Sequence, residues 1–143
     1  MSDPDSEFFQ RWMTLWKKID AVFNAELHRA GISYSEYLLL ESLQAAPQGM
    51  EPSALADACD MSRQHVNLLL RQLEGAELVT RTGATVDKRR RIIALSPLGE
   101  EKLNTIKANW LRMDKAGWAS FASYERGRIL SLLEHYYDTL ASE

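Results

Sequence analysis

Four consecutive cations, Lys88, Arg89, Arg90 and Arg91, stand in a chain whose formal net charge is −3. Such a run binds phosphate well if it is presented on an exposed projection, because guanidinium and ammonium groups make charge-assisted hydrogen bonds to anionic oxygens. It is otherwise a solvated face. The flanks favour presentation: "LVTR" (78–81) precedes the run and "RIIAL" (91–95) overlaps its end, two short β-prone segments around a charged tip containing Gly83. That is a hairpin signature. A second group lies just upstream in "RQHVNLLLRQLEGA" (63–76). At helical spacing Leu69, Leu70 and Leu73 cluster within roughly 60° of Val66. Gln64, Asn67, Leu68 and Arg71 then fall on the opposite half. Amides can pair with adenine, Arg with guanine or phosphate, and an apolar side chain can pack on a thymine methyl. No acid occurs from Ser62 to Leu73, although the chain holds 20 Asp and Glu. A face that meets phosphate avoids acids for Coulombic reasons. Ser62, Arg63 and His65 complete that face at its N-terminal end, and Lys88, Arg89 and Arg90 complete it from the hairpin.

Other chemistry is poorly represented. His28, His65 and His135 are scattered without ligand spacing, so no metal site is expected. No Gly-rich phosphate loop, nucleophile elbow or paired-carboxylate motif occurs, which argues against an enzyme and against a bound cofactor. The single cysteine, Cys59, excludes an intramolecular disulfide and fits a reducing cytoplasm. It reads first as a small core residue, and second as a redox-sensing thiol. No apolar run is long enough to span a bilayer and no signal-peptide pattern opens the chain, so a cytoplasmic protein without membrane contact is expected.

The elements that must position these residues are mostly helical. With 143 residues, 45% hydrophobic, one globular domain is expected. Residues 8–28 form an amphipathic helix with Phe8, Phe9, Trp12, Leu15, Trp16, Ile19, Val22, Phe23 and Leu27 within roughly 140°, stopped by Gly31. "SYSE" (33–36) is a capping box that opens a helix through residue 46, before Pro47. A short helix over 52–59, the tight connection "DMS" (60–62) and a helix over 63–76 capped by Ser62 make a helix-turn-helix. "SPLGEEKL" (96–103) starts a helix with Ser at the cap and Pro at the first position, running to about Gly117. A last helix spans about 123–141. The expected class is mainly α with a small β-hairpin. Charge is uneven: residues 1–49 hold four cations and seven anions, residues 50–95 seven and six, residues 96–143 six and seven. Local field rather than net charge would steer a polyanion.

The stretch from Leu55 to Glu101 resembles the winged-helix core of the MarR family of bacterial transcription regulators. Its most specific piece is Asp87-x-Arg89 followed by "IALSPLG" (93–99). The resemblance implies one domain over 1–143, with 8–46 and 97–141 as dimerisation helices and 50–96 as a winged helix-turn-helix lobe. It implies a homodimer whose first and last helices interlock, Arg89 entering a minor groove, and Asp87 orienting it. It also implies a ligand pocket between the dimer helices and the lobe, for which Trp12, Trp16, His28 and Tyr37 are the candidates and a small aromatic or phenolic acid the ligand. Family members often carry a cation where this chain has Leu68, so their base preference does not transfer. The resulting expectation is a homodimeric repressor that binds a pseudo-palindromic double-stranded operator and responds to a ligand. The competing readings are a winged-helix module for protein interaction alone, and a thiol switch through Cys59.

Overall fold

A computed structural model of the chain describes residues 3–83 and 91–143. The expectations placed on Asp87, Lys88, Arg89 and Arg90 therefore lie outside the described residues. Helix α1 spans Pro4–Ala30, α2 Tyr34–Gln44, α3 Pro52–Ala58 and α4 Arg63–Gly75. Strands β1 (Val79–Gly83) and β2 (Arg91–Leu95) follow, then α5 (Pro97–Trp118) and α6 (Ser123–Ala141). The chain falls into two compact units, Met1–Ala108 and Asn109–Glu143.

Helix α1 begins one turn earlier than its apolar periodicity indicates. Asp3 accepts from the Asp5 N–H and Pro4 occupies the first turn, so a polar cap starts the helix before the first aromatic residue. Gly31 ends it in the left-handed conformation, φ 73°, as expected. The Ser33–Glu36 capping box forms in both directions, at 3.1 and 3.0 Å. One difference concerns the hairpin. Gly83 is the last residue of β1, paired with Arg91, and is not part of the tip. The antiparallel register Val79↔Leu95 to Gly83↔Arg91 extends the strand two residues past Arg81, and Arg91 leaves the cation run to open β2.

The core of the first unit draws on every element. Leu27, Leu39, Leu40, Leu43, Leu55, Val66, Leu70, Leu73, Leu78, Ile93, Leu103 and Ile106 are all buried. Each fully buried aliphatic side chain contributes about 1.5–3 kcal/mol relative to exposure. The hairpin is fastened at two places. Met50 pairs with Ile93 through two backbone hydrogen bonds of 2.8 Å. Gly49, at φ 88°, makes that approach possible, since a Cβ there would overlap Ile92 and the Ile93 carbonyl. At the hairpin root, buried Ser96 donates through Oγ to the Glu77 carbonyl (2.7 Å) and accepts from the Gly99 N–H (2.9 Å). Gly99 admits no side chain because its Cβ would run into the Leu78 carbonyl. The "SPLG" signature thus welds the start of α5 to the connection between α4 and β1.

In the second unit, the Glu125 carboxylate accepts from the Ala122 N–H (2.9 Å) and opens α6. No residue of α6 is buried. Trp118 meets Phe121 edge-on, with ring centroids 5.2 Å apart. Among the described residues no helix is long and apolar enough to cross a membrane.

Candidate nucleic-acid interface

The turn between α3 and α4 is tight for a reason visible in its backbone. Asp60 adopts φ 51°, a left-handed conformation that Asp tolerates better than most residues. The Met61 N–H then reaches back to the Ala56 carbonyl (3.0 Å), closing the end of α3. Ser62 accepts from the His65 N–H at 3.1 Å and starts α4. Its own position is therefore a cap, and its hydroxyl oxygen is engaged.

Helix α4 presents the face that the sequence indicates. Val66, Leu69, Leu70 and Leu73 are buried against the lobe. Arg63, Gln64, His65, Asn67, Leu68 and Arg71 are all exposed. Leu68 is 51% exposed, which fixes the helical phase. Neither Arg63 nor Arg71 pairs with an acid among the described residues, so both guanidinium groups face solvent uncompensated. The face offers hydrogen-bond donors and acceptors, two free cations and one aliphatic group, and no acid. Arg91, the one described member of the cation run, is exposed at the start of β2.

The sequence reading missed a second feature, the attachment of β1 to α4. Arg81 sits opposite buried Ile93, on the same sheet face as buried Val79. A cation at that inward position needs a partner. It finds one in Glu74, in the last turn of α4, with Nε and Nη2 each 2.6 Å from Oε1. The signal that could have found it is the break in strand alternation: Val79 inward, Thr80 outward, then Arg81 where an apolar residue belongs.

The four candidate ligand residues fall into separate places. Half-buried Trp12 meets Trp16 edge-on, with centroids 5.5 Å apart. Exposed His28 lies in the last turn of the same continuous helix, about 24 Å along the axis from Trp12. Tyr37 is buried on α2 and donates to Glu41 Oε2 at 2.6 Å. Burial, then Glu41, pushes its hydroxyl pKa well above the usual tyrosine range. Glu41 also meets Lys107 Nζ at 3.6 Å, and Lys107 donates to Gln44, which donates to Asn104. This polar chain joins α2 to α5. Cys59 is half-buried at the C-terminal end of α3, with Sγ 3.3 Å from Ser42 Oγ and 3.6 Å from the Leu38 carbonyl. Its sulfur thus sits against a hydroxyl and a carbonyl at a helix C-terminus, whereas reactive cysteines sit beside cations or at helix N-termini. Among the described residues no three His, Cys, Asp or Glu side chains group as metal ligands.

The sequence profile of the MarR family matches residues 30–90. A protein assigned to transcriptional regulation of the hcr operon in Thauera aromatica is 31% identical over 107 residues, spanning 75% of this chain and 64% of that relative. The chain belongs to the MarR family. Solved structures agree on the fold of this MarR-family chain. A glycine-to-lysine mutant of Staphylococcus aureus MepR superposes with a TM-score of 0.80 at 20% identity, covering 93% of this chain and 98% of MepR. A phenylalanine-to-leucine mutant of MepR, solved bound to an oligodeoxyribonucleotide, gives 0.71 at 21% identity, covering 97% and 99%. Staphylococcus aureus MarR, in complex with salicylate and kanamycin, gives 0.78 at 18% identity, covering 97% and 93%. The MarR-type winged-helix architecture thus extends over nearly the whole chain, well beyond the 30–90 core.

Proposed function

We propose that this protein is a homodimeric, sequence-specific DNA-binding regulator of transcription, acting as a repressor in the cytoplasm. The observation that carries the proposal is the outward face of α4: exposed Arg63, Gln64, His65, Asn67, Leu68 and Arg71, without an acid, over a buried Val66–Leu69–Leu70–Leu73 seam. In this reading α4 lies in the major groove. The amides and Leu68 read base edges, while Arg63 and Arg71 contact phosphate or guanine. Lys88, Arg89 and Arg90 of the wing reach the minor groove or flanking phosphates, with Asp87 orienting Arg89. The MepR relative solved with an oligodeoxyribonucleotide supports this assignment of partner.

Two-fold symmetry would place two recognition helices about one turn of DNA apart on a pseudo-palindrome. A small aromatic acid would lower operator affinity by changing that separation, a coupling of about 1–3 kcal/mol. The MarR relative solved with salicylate supports the ligand class. Because α1 separates Trp12 from His28 by about 24 Å, one small ligand would reach a single end of that helix. We assign it to the C-terminal end of α1, at His28, where the chain turns into α2.

The test is binding to duplex DNA from the region upstream of the protein's own gene, measured over a salt series. Affinity should fall steeply, with a log–log slope of about −0.9 per neutralised phosphate. Arg89→Ala should lower that slope by about one per protomer. A flat salt dependence, or no retention of DNA, would overturn the proposal and favour a protein-interaction module.

A further inference from the structure

We infer that Glu74 and Arg81 form a positioning pair that fixes the angle between the wing hairpin and the recognition helix, and that DNA binding depends on it. The inference rests on the DNA-binding reading above and assigns a role to two residues that touch no DNA in it. Three observations carry it. Arg81 occupies an inward strand position, opposite Ile93 and in phase with Val79, where an apolar side chain would bury more surface. Its guanidinium grips a single carboxylate oxygen twice at 2.6 Å, and the two side chains are only 24% and 32% exposed. The other fastenings of the hairpin lie elsewhere, on β2 at Met50–Ile93 and at the root through Ser96. Among the described residues, the side-chain hydrogen bond between β1 and α4 is that of this pair.

A guanidinium held on one carboxylate oxygen by a hydrogen bond and a second 2.6 Å ionic contact resists the hinge motion that a short connection (76–78) would otherwise allow. The two DNA-reading elements then arrive at the duplex at a set angle, and no binding energy is lost in ordering them. Neutralisation adds to this: Glu74 is the first acid after the acid-free stretch, and Arg81 cancels its charge.

The sign of one substitution separates this role from simple electrostatics. Removing an acid near a DNA-binding face should tighten binding by Coulomb's law alone. Glu74→Ala is expected to weaken it, by about fivefold, the upper range for breaking a partly exposed ion pair. Its salt slope should match the wild type, since no phosphate contact is lost. Glu74→Gln, which still accepts from Arg81, should recover most of the affinity, and circular dichroism should show both variants folded. Glu74→Ala that binds as well as wild type or more tightly overturns the inference, while the wild type's steep salt slope would leave the DNA-binding reading standing. Should Glu74→Ala unfold, Glu74→Gln and Arg81→Lys decide: Gln retaining affinity and Lys, without the fork, losing it supports the pair, and the reverse order overturns it. A wild type that binds no DNA overturns both.

Discussion

Leu68 stands half exposed between the amides of Gln64 and Asn67 and the guanidinium of Arg71, on a helix whose other leucines are buried. The lobe gains no stability from covering it. A lone exposed leucine is common on protein surfaces, so its meaning depends on its neighbours, and here they are polar groups suited to base edges. Packed on a thymine methyl, it would contribute roughly 1–3 kcal/mol of discrimination at one base pair of each half-site. Leu68→Ala should therefore flatten sequence preference at that pair, leave the salt slope unchanged, and leave the thermal midpoint within about two degrees of wild type, the spread of a neutral surface change. Competition binding with operators varied one position at a time, alongside a thermal melt, measures both. A uniform loss of affinity across all operators would count against the base contact.

Helices α2 and α5 are joined by polar side chains as well as by core packing, through Tyr37, Glu41, Lys107, Gln44 and Asn104. The folded protein holds the Tyr37 hydroxyl protonated above its ordinary pKa of 10.0, mainly through burial and then through Glu41. An unfolded chain releases that proton from about pH 10 upward, whereas the folded chain retains it. The stabilisation is fully present below that pH and is lost as pH rises toward the folded value. Between about pH 9 and 11 the thermal midpoint of wild type should fall by about 2–4 °C more than that of Tyr37→Phe. Equal slopes would mean that the hydroxyl titrates freely. At this scale the sequence is informative where local chemistry decides the outcome: Ser33, Ser62 and Ser96 cap where they stand, and Leu68 faces outward as the α4 periodicity requires. It is uninformative where two distant segments decide together. Glu74–Arg81 and Glu41–Lys107 join residues with no periodic relation, and Gly49 matters only because Ile92 and Ile93 come against it. The start of α1 escapes hydrophobic spacing because Asp3 and Pro4 act through capping, to which such spacing is blind.

Taken alone, the chain leaves much apolar surface in water. On α1, Phe8, Phe9, Leu15, Trp16, Ile19 and Val22 are exposed, and only Leu27 of that stripe is buried. On α6, Leu130, Leu132, Leu133, Tyr136, Tyr137 and Leu140 are exposed as well. Apolar area of that extent on helix faces marks association surfaces, and a second copy is the partner that the proposed two-fold reading of DNA requires. Sedimentation at micromolar concentration should give a dimer, and Trp16→Glu with Leu133→Glu should shift it toward monomer. A wild-type monomer would remove the symmetric operator from the account. The pairing of Met50 with Ile93 carries a consequence of a different kind. It ties the chain just before α3 to the strand that closes the hairpin, so the entire helix-turn-helix lies inside a loop shut by two backbone hydrogen bonds. Such a closure is costly in chain entropy until everything within it has packed. A nascent chain can therefore shut this loop around the helix-turn-helix only once residue 93 has emerged and found residue 50.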